Sequence, residues 1–209
     1  FCFFLGQCTS EKPKQAQYMR LASGPPSGVY YTAGIAIAEI VNKSNTPQNI
    51  DITVDTSPGS IANINDLSNG KVDFALAQAD REYQAYHGKG YWKSNRQEKL
   101  RFICSLHQEA LTLLAAEDSG IAEISDLEGK RVAIGAPGSG TRDNVLEILQ
   151  QKGLDSNKDF QAQSITLSES VKKFENGQID AFFVMVGHPN GAIQEVTNHP
   201  RRSSRFIPL

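Results

Sequence analysis

A glycine-rich loop at residues 135–141, with the sequence Gly-Ala-Pro-Gly-Ser-Gly-Thr, carries the clearest chemical signal in this chain. It follows a predicted strand and leads into a predicted helix. The first N–H groups of a helix have no partner within the helix and carry partial positive charge, so such a loop favours a carboxylate or phosphate. Ser139 and Thr141 add hydroxyl donors. The Gly-Lys-Ser/Thr ending of a P-loop is absent, and a plain helix cap with a tight turn is the alternative interpretation.

Two further loops repeat this arrangement between a strand and a helix. In residues 23–31, Ser27 is the natural cap and anion donor, and one phenol of Tyr30 and Tyr31 is expected to face a ligand while the other lies in the core. Residues 57–60 form the third loop. Helices that follow parallel strands start at the same edge of a sheet, so these three helix starts are predicted to converge on one cleft.

Gln78 and Asp80 form a polar pair at the end of a predicted strand. Such a pair would recognise an amino or hydroxyl group of a ligand. Capping of the next helix explains the same residues equally well.

Arg142 lies in the first turn of the helix that follows the loop at 135–141, where its positive charge opposes the helix dipole. We therefore expect an anion to pair with it. The two interpretations are a bidentate clamp on a ligand carboxylate, or a structural pair with Asp143 or Glu147 on the same helix.

The composition excludes several classes of function. Of 209 residues, 39% are hydrophobic and 21% charged, so the chain is expected to fold around cores. A formal net charge of -2 provides no basic field for nucleic acid. The four histidines stand in no nucleophile motif, the three cysteines lack zinc-site spacing, and Cys104 is predicted to be a buried thiol. We predict no enzyme, no cofactor and no structural metal.

Short β-like runs alternate with helical patterns along the chain, which indicates an α/β fold. Strands are predicted at residues 18–22, 50–55, 72–77, 101–106, 111–116, 131–135, 164–167 and 179–185. Helices are predicted at residues 29–42, 60–68, 141–152, 169–176 and 191–198. Most of the strand runs are continuously apolar, which favours sheets covered on both faces.

An internal echo indicates two similar lobes. Residues 69–76, Asn-Gly-Lys-Val-Asp-Phe-Ala-Leu, match residues 176–183, Asn-Gly-Gln-Ile-Asp-Ala-Phe-Phe. In both copies a helix is predicted to stop at Asn-Gly, with the glycine in the left-handed conformation, before a strand begins. We predict a lobe boundary at residues 106–110 and a ligand cleft between the lobes. A coincidence of common turn residues in one continuous sheet is the alternative.

The first eight residues, Phe-Cys-Phe-Phe-Leu-Gly-Gln-Cys, form an apolar run before a polar stretch at residues 9–17. The run is shorter than the about 20 residues of a membrane-spanning helix and is typical of the end of a signal peptide. The segment from Leu5 to Cys8 is similar to a bacterial lipobox, although Gln7 stands where a small residue is expected. The interpretations are an exported protein with a lipid on Cys8, or a signal remnant with an unmodified Cys8.

Ordered motifs over residues 18–209 carry a family resemblance. They lie at residues 24–31, 76–80, 118–121, 126–132, 135–141, 177–183 and 187–189. With these motifs the chain resembles the TAXI group of TRAP transporter solute-binding proteins, which are periplasmic receptors of bacterial uptake systems. The resemblance implies a two-lobed, type II periplasmic-binding-protein fold that closes on a small carboxylate such as glutamate, glutamine or a related acid. It also implies membrane permease subunits of a TRAP transporter as partners.

The resemblance implies a set of cleft residues as well, to which the loop analysis adds Arg142. The candidate ligand-binding residues are Ser27, Gly28, Tyr30, Tyr31, Ser57, Gly59, Ser60, Gln78, Asp80, Pro137, Ser139, Gly140, Thr141, Arg142, Gly187 and Pro189. We expect an export segment at residues 1–17, a first lobe at 18–108 and a second lobe at 109–209, in a monomer. Family members are longer, so we expect a C-terminal portion that returns to the first lobe.

Three classes of function remain at this stage. The first is the solute receptor of an uptake system. A ligand sensor or surface antigen on the same fold would use the same cleft. A phosphate-handling transferase is disfavoured because the chain has no positioned acid, base or metal set.

Overall fold

Two sheets carry the fold, one from each half of the chain. The computed structural model describes residues 16–44 and 49–209. The last strand of the first sheet ends at Ala75, and the second sheet begins at Ala110. The predicted lobe boundary lies between these points, and the expectations for residues 1–15, including the lipobox at Cys8, lie outside the described residues.

The first sheet is parallel, and each of its strands is followed by a helix. Its elements in chain order are β1 (Gln17–Ala22), α1 (Val29–Lys43), β2 (Ile50–Asp55), α2 (Ser60–Ser68), β3 (Phe74–Ala75) and α3 (Ala79–His87). The strand order is β2-β1-β3, and β1 pairs in parallel with both neighbours. Because the strands run the same way, their carboxyl ends and the starts of the helices lie along one edge.

The second sheet is mixed. Its elements are β4 (Ala110–Ala116), β5 (Arg131–Ala133), α4 (Gly140–Gln151), β6 (Gln161–Gln163), α5 (Leu167–Glu175), β7 (Ala181–Val186), α6 (Gly191–Thr197) and β8 (Ser204–Ile207). The strand order is β6-β5-β7-β4-β8. Strand β5 is parallel to β6 and β7, whereas β4 is antiparallel to β7 and β8.

The second sheet is buried on both faces, as its continuously apolar strands predict. Along β4, Leu113 and Ala115 belong to one core cluster, and Leu114 and Ala116 belong to another. Successive side chains of a strand point to opposite faces, so each face of the sheet has its own core. Both leucines are fully buried, and burial of such a side chain contributes on the order of 1.5–3 kcal/mol.

The Asn-Gly echo is a repeated helix end. Asn69 follows α2 and Asn176 follows α5, and the next residues, Gly70 and Gly177, both have a φ of +68°. A residue with a Cβ atom is strained in this left-handed region. Each glycine N–H donates to a carbonyl of the last helical turn, which closes the helix. The predicted helix ends are therefore confirmed.

The aspartates of the echo also perform the same task. Asp73 Oδ2 accepts from the N–H of Arg20 in β1, and Asp180 Oδ2 accepts from the N–H of Arg131 in β5, each at 2.8 Å. In return, the N–H of each aspartate donates to the carbonyl of the same arginine. The echo thus marks the point where the chain leaves a helix and joins a central strand.

Three sequence predictions about this fold were wrong. Residues 101–106, predicted as a strand, have no regular structure, and Phe102 and Ile103 are exposed. An apolar run forms a strand only when another strand accepts its backbone hydrogen bonds, and no described strand pairs with this one. Cys104 lies in the same segment and is exposed, so it is not a buried thiol. The strand predicted at 164–167 lies earlier, at β6.

A helix after Gln78 and Asp80 was expected as the one that these residues could cap, but the bounds of α3 were not predicted, because its pattern has no apolar stripe. Its buried residues are Arg81 and Ala85, while Tyr83 is 52% exposed. A helix that buries an arginine gives no hydrophobic period of 3.6 residues, which is the signal that sequence analysis reads.

We predict that Asp180→Ala lowers the free energy of unfolding by about 2 kcal/mol, because the carboxylate accepts from the N–H and the guanidinium of Arg131. Asp73→Ala is the matched control and should cost less, since among residues 16–44 and 49–209 the Asp73 carboxylate accepts only from the N–H of Arg20. Denaturant unfolding at pH 7 measures both. Equal losses would contradict the prediction.

The same contact predicts a dependence on pH. The hydrogen bond from Arg131 lowers the pKa of Asp180 below its ordinary value. A lowered pKa stabilises the fold fully above the unfolded value of about 3.9, and this contribution is lost as the pH falls through the folded value. Asp180→Asn should therefore lose less stability than the unaltered protein below about pH 4.

Candidate functional site

The carboxyl ends of the first three strands are tied together by polar side chains. Ser23, after β1, donates its hydroxyl to the carbonyl of Asp55 at the end of β2, at 2.7 Å. Ser57 donates to the carbonyl of Ser23. The buried Asn63 of α2 donates to the carbonyls of Ser23 and Leu76. These bonds fix the ends of the three strands relative to one another, next to the helix starts.

Four helix starts meet beside these strand ends. Tyr30 lies in the first turn of α1, Ser60 begins α2, Gln78 precedes α3, and Gly140 begins α4 of the second sheet. The N–H of Gln78 donates to Ser60 Oγ at 3.1 Å, and the Ser60 hydroxyl also contacts the phenol of Tyr30. A Cβ atom at Gly140 would lie 1.4 Å from Gln78 Oε1, so only glycine permits this approach. The predicted convergence of helix starts is observed.

The two lobes touch directly beside this meeting point. The N–H of Ala62, in the first turn of α2, donates to the carbonyl of Gly138 at 3.1 Å. Gly59, before α2, lies against Ser139, before α4. An N–H group that has no partner within α2 thus donates to a carbonyl of the other lobe.

The hydroxyls of the loop at 135–141 have partners within the protein. Ser139 Oγ accepts from the N–H of Arg142 at 3.2 Å and donates to the carbonyl of Ala136, so Ser139 caps α4. Thr141 Oγ1 accepts from the N–H of Met185 in β7. Pro137 is exposed. The helix-cap interpretation therefore describes Ser139, and the backbone of Gly140 and Thr141 remains the candidate anion donor.

Arg142 is paired neither with Asp143 nor with Glu147. Its Nε donates to Ser164 Oγ at 3.3 Å, within the second lobe. The structural pair was one of two interpretations of Arg142. It is not formed, because both carboxylates face Arg81 of the first lobe.

Arg81 is the main link between the lobes, and only 1% of its side chain is exposed. Its Nη1 and Nη2 donate to the two carboxylate oxygens of Glu147 at 2.8 and 2.7 Å, and Asp143 lies 3.7 Å away. Gln84, one turn further along α3, also donates to Glu147. A bidentate arginine–carboxylate pair fixes distance and orientation together.

The pKa values around Arg81 follow from this geometry. The hydrogen bond from Arg81 lowers the pKa of Glu147, whereas burial raises the pKa of Asp143 despite the nearby guanidinium. Burial alone would lower the pKa of Arg81, but Glu147 and Asp80 outweigh it and raise that pKa. The charged form of the pair with Glu147 is therefore the stable one near neutral pH.

Asp80 belongs to the same network. Its Oδ1 accepts from the N–H of Arg81 at 2.7 Å, and its Oδ2 accepts from Asn144 Nδ2 of α4 at 2.8 Å. Asn144 Oδ1 in turn accepts from Gln78 Nε2 at 3.3 Å. The predicted pair Gln78 and Asp80 thus contacts the second lobe through one asparagine, a residue that sequence analysis did not select.

Glu109 and His107 were missed as site residues and lie in the segment that leads into β4. Tyr30 donates its phenol to Glu109 Oε2 at 3.0 Å, and His107 Nε2 lies 3.5 Å from Glu109 Oε1. Burial raises the pKa of Glu109, and burial followed by the charge of Glu109 raises the pKa of Tyr30. Tyr30 is therefore the tyrosine with a polar partner. Nothing in the spacing of residues 107–109 marks them, because the contact is made only in the fold.

The remaining predicted residues lie around this centre. Ser57 Oγ accepts from the N–H of Gly59. Gly28 occupies the N-cap position of α1 and no side chain caps this helix, so the prediction that Ser27 caps it is wrong. Ser27 Oγ is buried and has no hydrogen-bond partner, and Tyr31 is half-buried. Gly187 lies against the ring of His107, which a Cβ atom would approach to 2.8 Å, and Pro189 is exposed.

A cavity of about 1410 Å³ opens from this centre. Its lining includes Tyr30, Gln78, Asp80, Glu109 and Met185, together with apolar side chains of the first lobe. Within residues 16–44 and 49–209, no cluster of three or more His, Cys, Asp or Glu side chains is arranged to hold a metal ion. No helix in that part of the chain has the length and apolar character that a membrane crossing requires.

Comparison with known proteins bears on the fold and the family. The sequence model described as the NMT1-like family matches residues 21–209. The fold is similar to the alkanesulfonate-binding protein SsuA from Xanthomonas axonopodis pv. citri bound to MOPS, at 18% identity and a TM-score of 0.59, covering 95% of this chain and 62% of that one.

Two further structures are similar. The periplasmic aliphatic sulphonate binding protein SsuA from Escherichia coli shares 18% identity and a TM-score of 0.54, covering 91% of this chain and 60% of that one. An ancestral arginine-binding protein bound to arginine shares 17% identity and a TM-score of 0.58, covering 91% and 78%. This chain spans 62% and 60% of the two sulfonate-binding proteins. The predicted two-lobed, periplasmic-binding-protein-like α/β fold is confirmed.

We predict that Glu147→Gln lowers the free energy of unfolding by about 1–2 kcal/mol at pH 7, because it leaves the buried Arg81 without its bidentate partner. The loss stays below the about 3–5 kcal/mol of a fully buried pair, since the Glu147 side chain is 44% exposed and water screens it. Chemical denaturation measures the change, and Glu128→Gln, an exposed carboxylate of the second lobe, is the control.

Small-angle scattering of the same variants provides a second measurement. Weakening a contact between lobes should increase the radius of gyration of Glu147→Gln and leave that of Glu128→Gln unchanged.

Because the pKa of Glu147 is lowered, the contribution of the pair to the free energy of unfolding is full above about pH 4.3 and is lost at lower pH. A variant as stable and as compact as the unaltered protein would contradict the role of this pair.

Proposed function

This chain belongs to the NMT1-like family, and from that premise we propose that it is an extracytoplasmic solute-binding receptor that captures a small carboxylate between its lobes. The observation that carries the proposal is the meeting of helix starts from both lobes at Tyr30, Ser60, Gln78 and Gly140. Helix starts present unsatisfied N–H groups and partial positive charge, so an anion held there contacts both lobes at once. A ligand that contacts both lobes favours their closure.

The residues proposed to contact the ligand are the predicted ones that meet between the lobes. They are Tyr30, Ser60, Gln78, Asp80, Gly140 and Thr141. Arg142 is proposed as a second anion contact, since its guanidinium has five N–H donors and, among the described residues, donates to the neutral hydroxyl of Ser164 alone. Glutamate, glutamine and related acids are the proposed ligands. Sulfonates offer the same anionic chemistry to helix starts and are the first alternatives to examine.

We propose further that the receptor is exported and delivers its ligand to a membrane permease. The apolar start of the chain supports export, and the TAXI-like sequence motifs support a permease of the TRAP type. A receptor role, and no enzymatic one, is supported by the binding-protein fold together with the absence of a nucleophile motif in the sequence.

The receptor proposal predicts that a panel of amino acids, dicarboxylates and alkanesulfonates contains a stabilising ligand. A ligand present at 100 times its dissociation constant adds about 2.7 kcal/mol to the free energy of unfolding. Thermal unfolding of the purified protein detects this as a rise in Tm. A panel without any stabilising compound would count against the proposal.

The position of the site is tested by Gly140→Ala. The new Cβ atom would overlap Gln78 Oε1 and crowd Ser60, so we expect at least a tenfold loss of affinity for the ligand found in the panel. Gly191→Ala is the matched control, because Gly191 begins α6 and has open space around it. Calorimetry should show a control within about twofold of the unaltered protein. Equal affinity in both variants would place the ligand elsewhere.

Export is tested by fractionation of cells that produce the complete protein. We expect the mature chain in the periplasmic or membrane fraction. Its presence in the cytosol alone would refute this part of the proposal.

A further inference from the structure

The part of the cavity lining beside Tyr30 is rich in hydrogen-bond acceptors. Glu109, Asp80 and Gln78 lie there beside the phenol of Tyr30. Two of these side chains are carboxylates. Asp80 is ion-paired with Arg81 at 3.1 Å, and its charge still raises the pKa of Glu109. A ligand group that lies beside these side chains must therefore supply hydrogen-bond donors and carry no negative charge of its own there.

Glu109 is a buried carboxylate without a strong cationic partner. Its side chain is 14% exposed, and among the described residues no Lys or Arg nitrogen forms an ion pair with it. Its partners are the neutral phenol of Tyr30 and the imidazole of His107. Burial of a carboxylate is unfavourable unless positive charge answers it, and burial accordingly raises the pKa of Glu109.

Gln78 provides a second and independent acceptor. Only 8% of this residue is exposed, and its Oε1 has no hydrogen-bond partner. Buried polar atoms of folded proteins nearly always have a partner, so an unpaired one at the edge of a cavity indicates a donor that is absent from the protein itself.

The direction of the Gln78 amide follows from its neighbours. Asp80 Oδ2 can only accept when ionised, so the group that Asn144 turns toward it is Nδ2. Asn144 Oδ1 then faces Gln78 and requires its Nε2. Exchange of either amide would set two acceptors or two donors against each other. The unpaired atom of Gln78 is thus the oxygen, and it lies against Gly140 at the start of α4.

We propose that Glu109 and Gln78 Oε1 form a cation-binding pole that holds a protonated amine of the ligand. The proposal rests on the receptor function above and narrows its substrate class to solutes with both an ammonium and an anionic group. The anionic group faces the helix starts at Ser60 and Gly140, and the ammonium faces the acceptors. A dicarboxylate would instead bring a second negative charge against Glu109.

The test uses matched pairs of probes that differ only in the amine. The pairs are glutamate with glutarate, glutamine with glutaramate, and taurine with ethanesulfonate, each titrated calorimetrically into the unaltered protein at one pH. In any pair that binds, the amine-bearing probe should bind at least tenfold more tightly, which is the scale of a charged hydrogen bond. This comparison needs no variant and so does not depend on whether a variant folds.

Glu109→Gln then assigns the preference to one residue. We expect it to weaken the amine-bearing probe tenfold or more and to leave its partner without the amine within about threefold. Glu117→Gln is the control, because Glu117 is an exposed carboxylate just after β4. It should change neither affinity, and the unfolding curve of each variant checks that it is folded.

The outcomes separate this inference from the receptor function. A pair in which both probes bind equally tightly to the unaltered protein overturns the cation-binding pole and leaves the receptor standing. Equal weakening of both probes by Glu109→Gln overturns the assignment to Glu109, because it indicates a structural role. If no probe of either kind binds, the receptor function fails for these solute classes and the inference fails with it.

Discussion

The arrangement of the lobes depends on the burial of one charged side chain, Arg81. A guanidinium with 1% exposure is stable only if carboxylates surround it, and those carboxylates come from both lobes. Glu147 and Asp143 lie on α4, and Asp80 lies beside Arg81 on α3. Because the pair with Glu147 is bidentate, it sets the angle between the helices as well as their distance. Hydrogen bonds of this geometry restrict the relative position of the two helices more narrowly than an apolar contact of the same size.

Arg81 is connected to the candidate site through a series of hydrogen bonds between side chains. Arg81 holds Asp80, Asp80 orients Asn144, and Asn144 orients Gln78. Each step passes on a donor-to-acceptor direction, so the last group in the chain is left with an oxygen that has no partner. A single hydrogen-bond network thereby connects the stability of the lobe interface with the chemistry offered to a ligand. The two properties are not independent in this molecule.

Much of the fold follows from local chemistry. The helix from Ser60 to Ser68 has its predicted bounds, and the Asn-Gly pairs end helices because glycine alone enters the left-handed region without strain. Hydrophobic periodicity gave the wrong prediction, or none, in two segments whose burial does not follow their apolar pattern. The helix α3 buries an arginine and not an apolar stripe, and residues 101–106 are apolar but have no strand partner. Hydrophobic periodicity records what a segment prefers to bury, and it does not record which partners are within reach.

The candidate site divides in the same way. The sequence by itself determined the α/β class and the glycine-rich helix starts, because caps and turns are chemistry of neighbouring residues. The ligand contacts of Ser60, Gln78 and Gly140 stay predictions. Only the tertiary structure decided that Glu109 meets Tyr30 across 79 positions of the chain, and that Glu147 pairs with Arg81 and not with Arg142. Such pairings depend on how two lobes are oriented, and that orientation is a balance of buried charge and packing that no local pattern encodes.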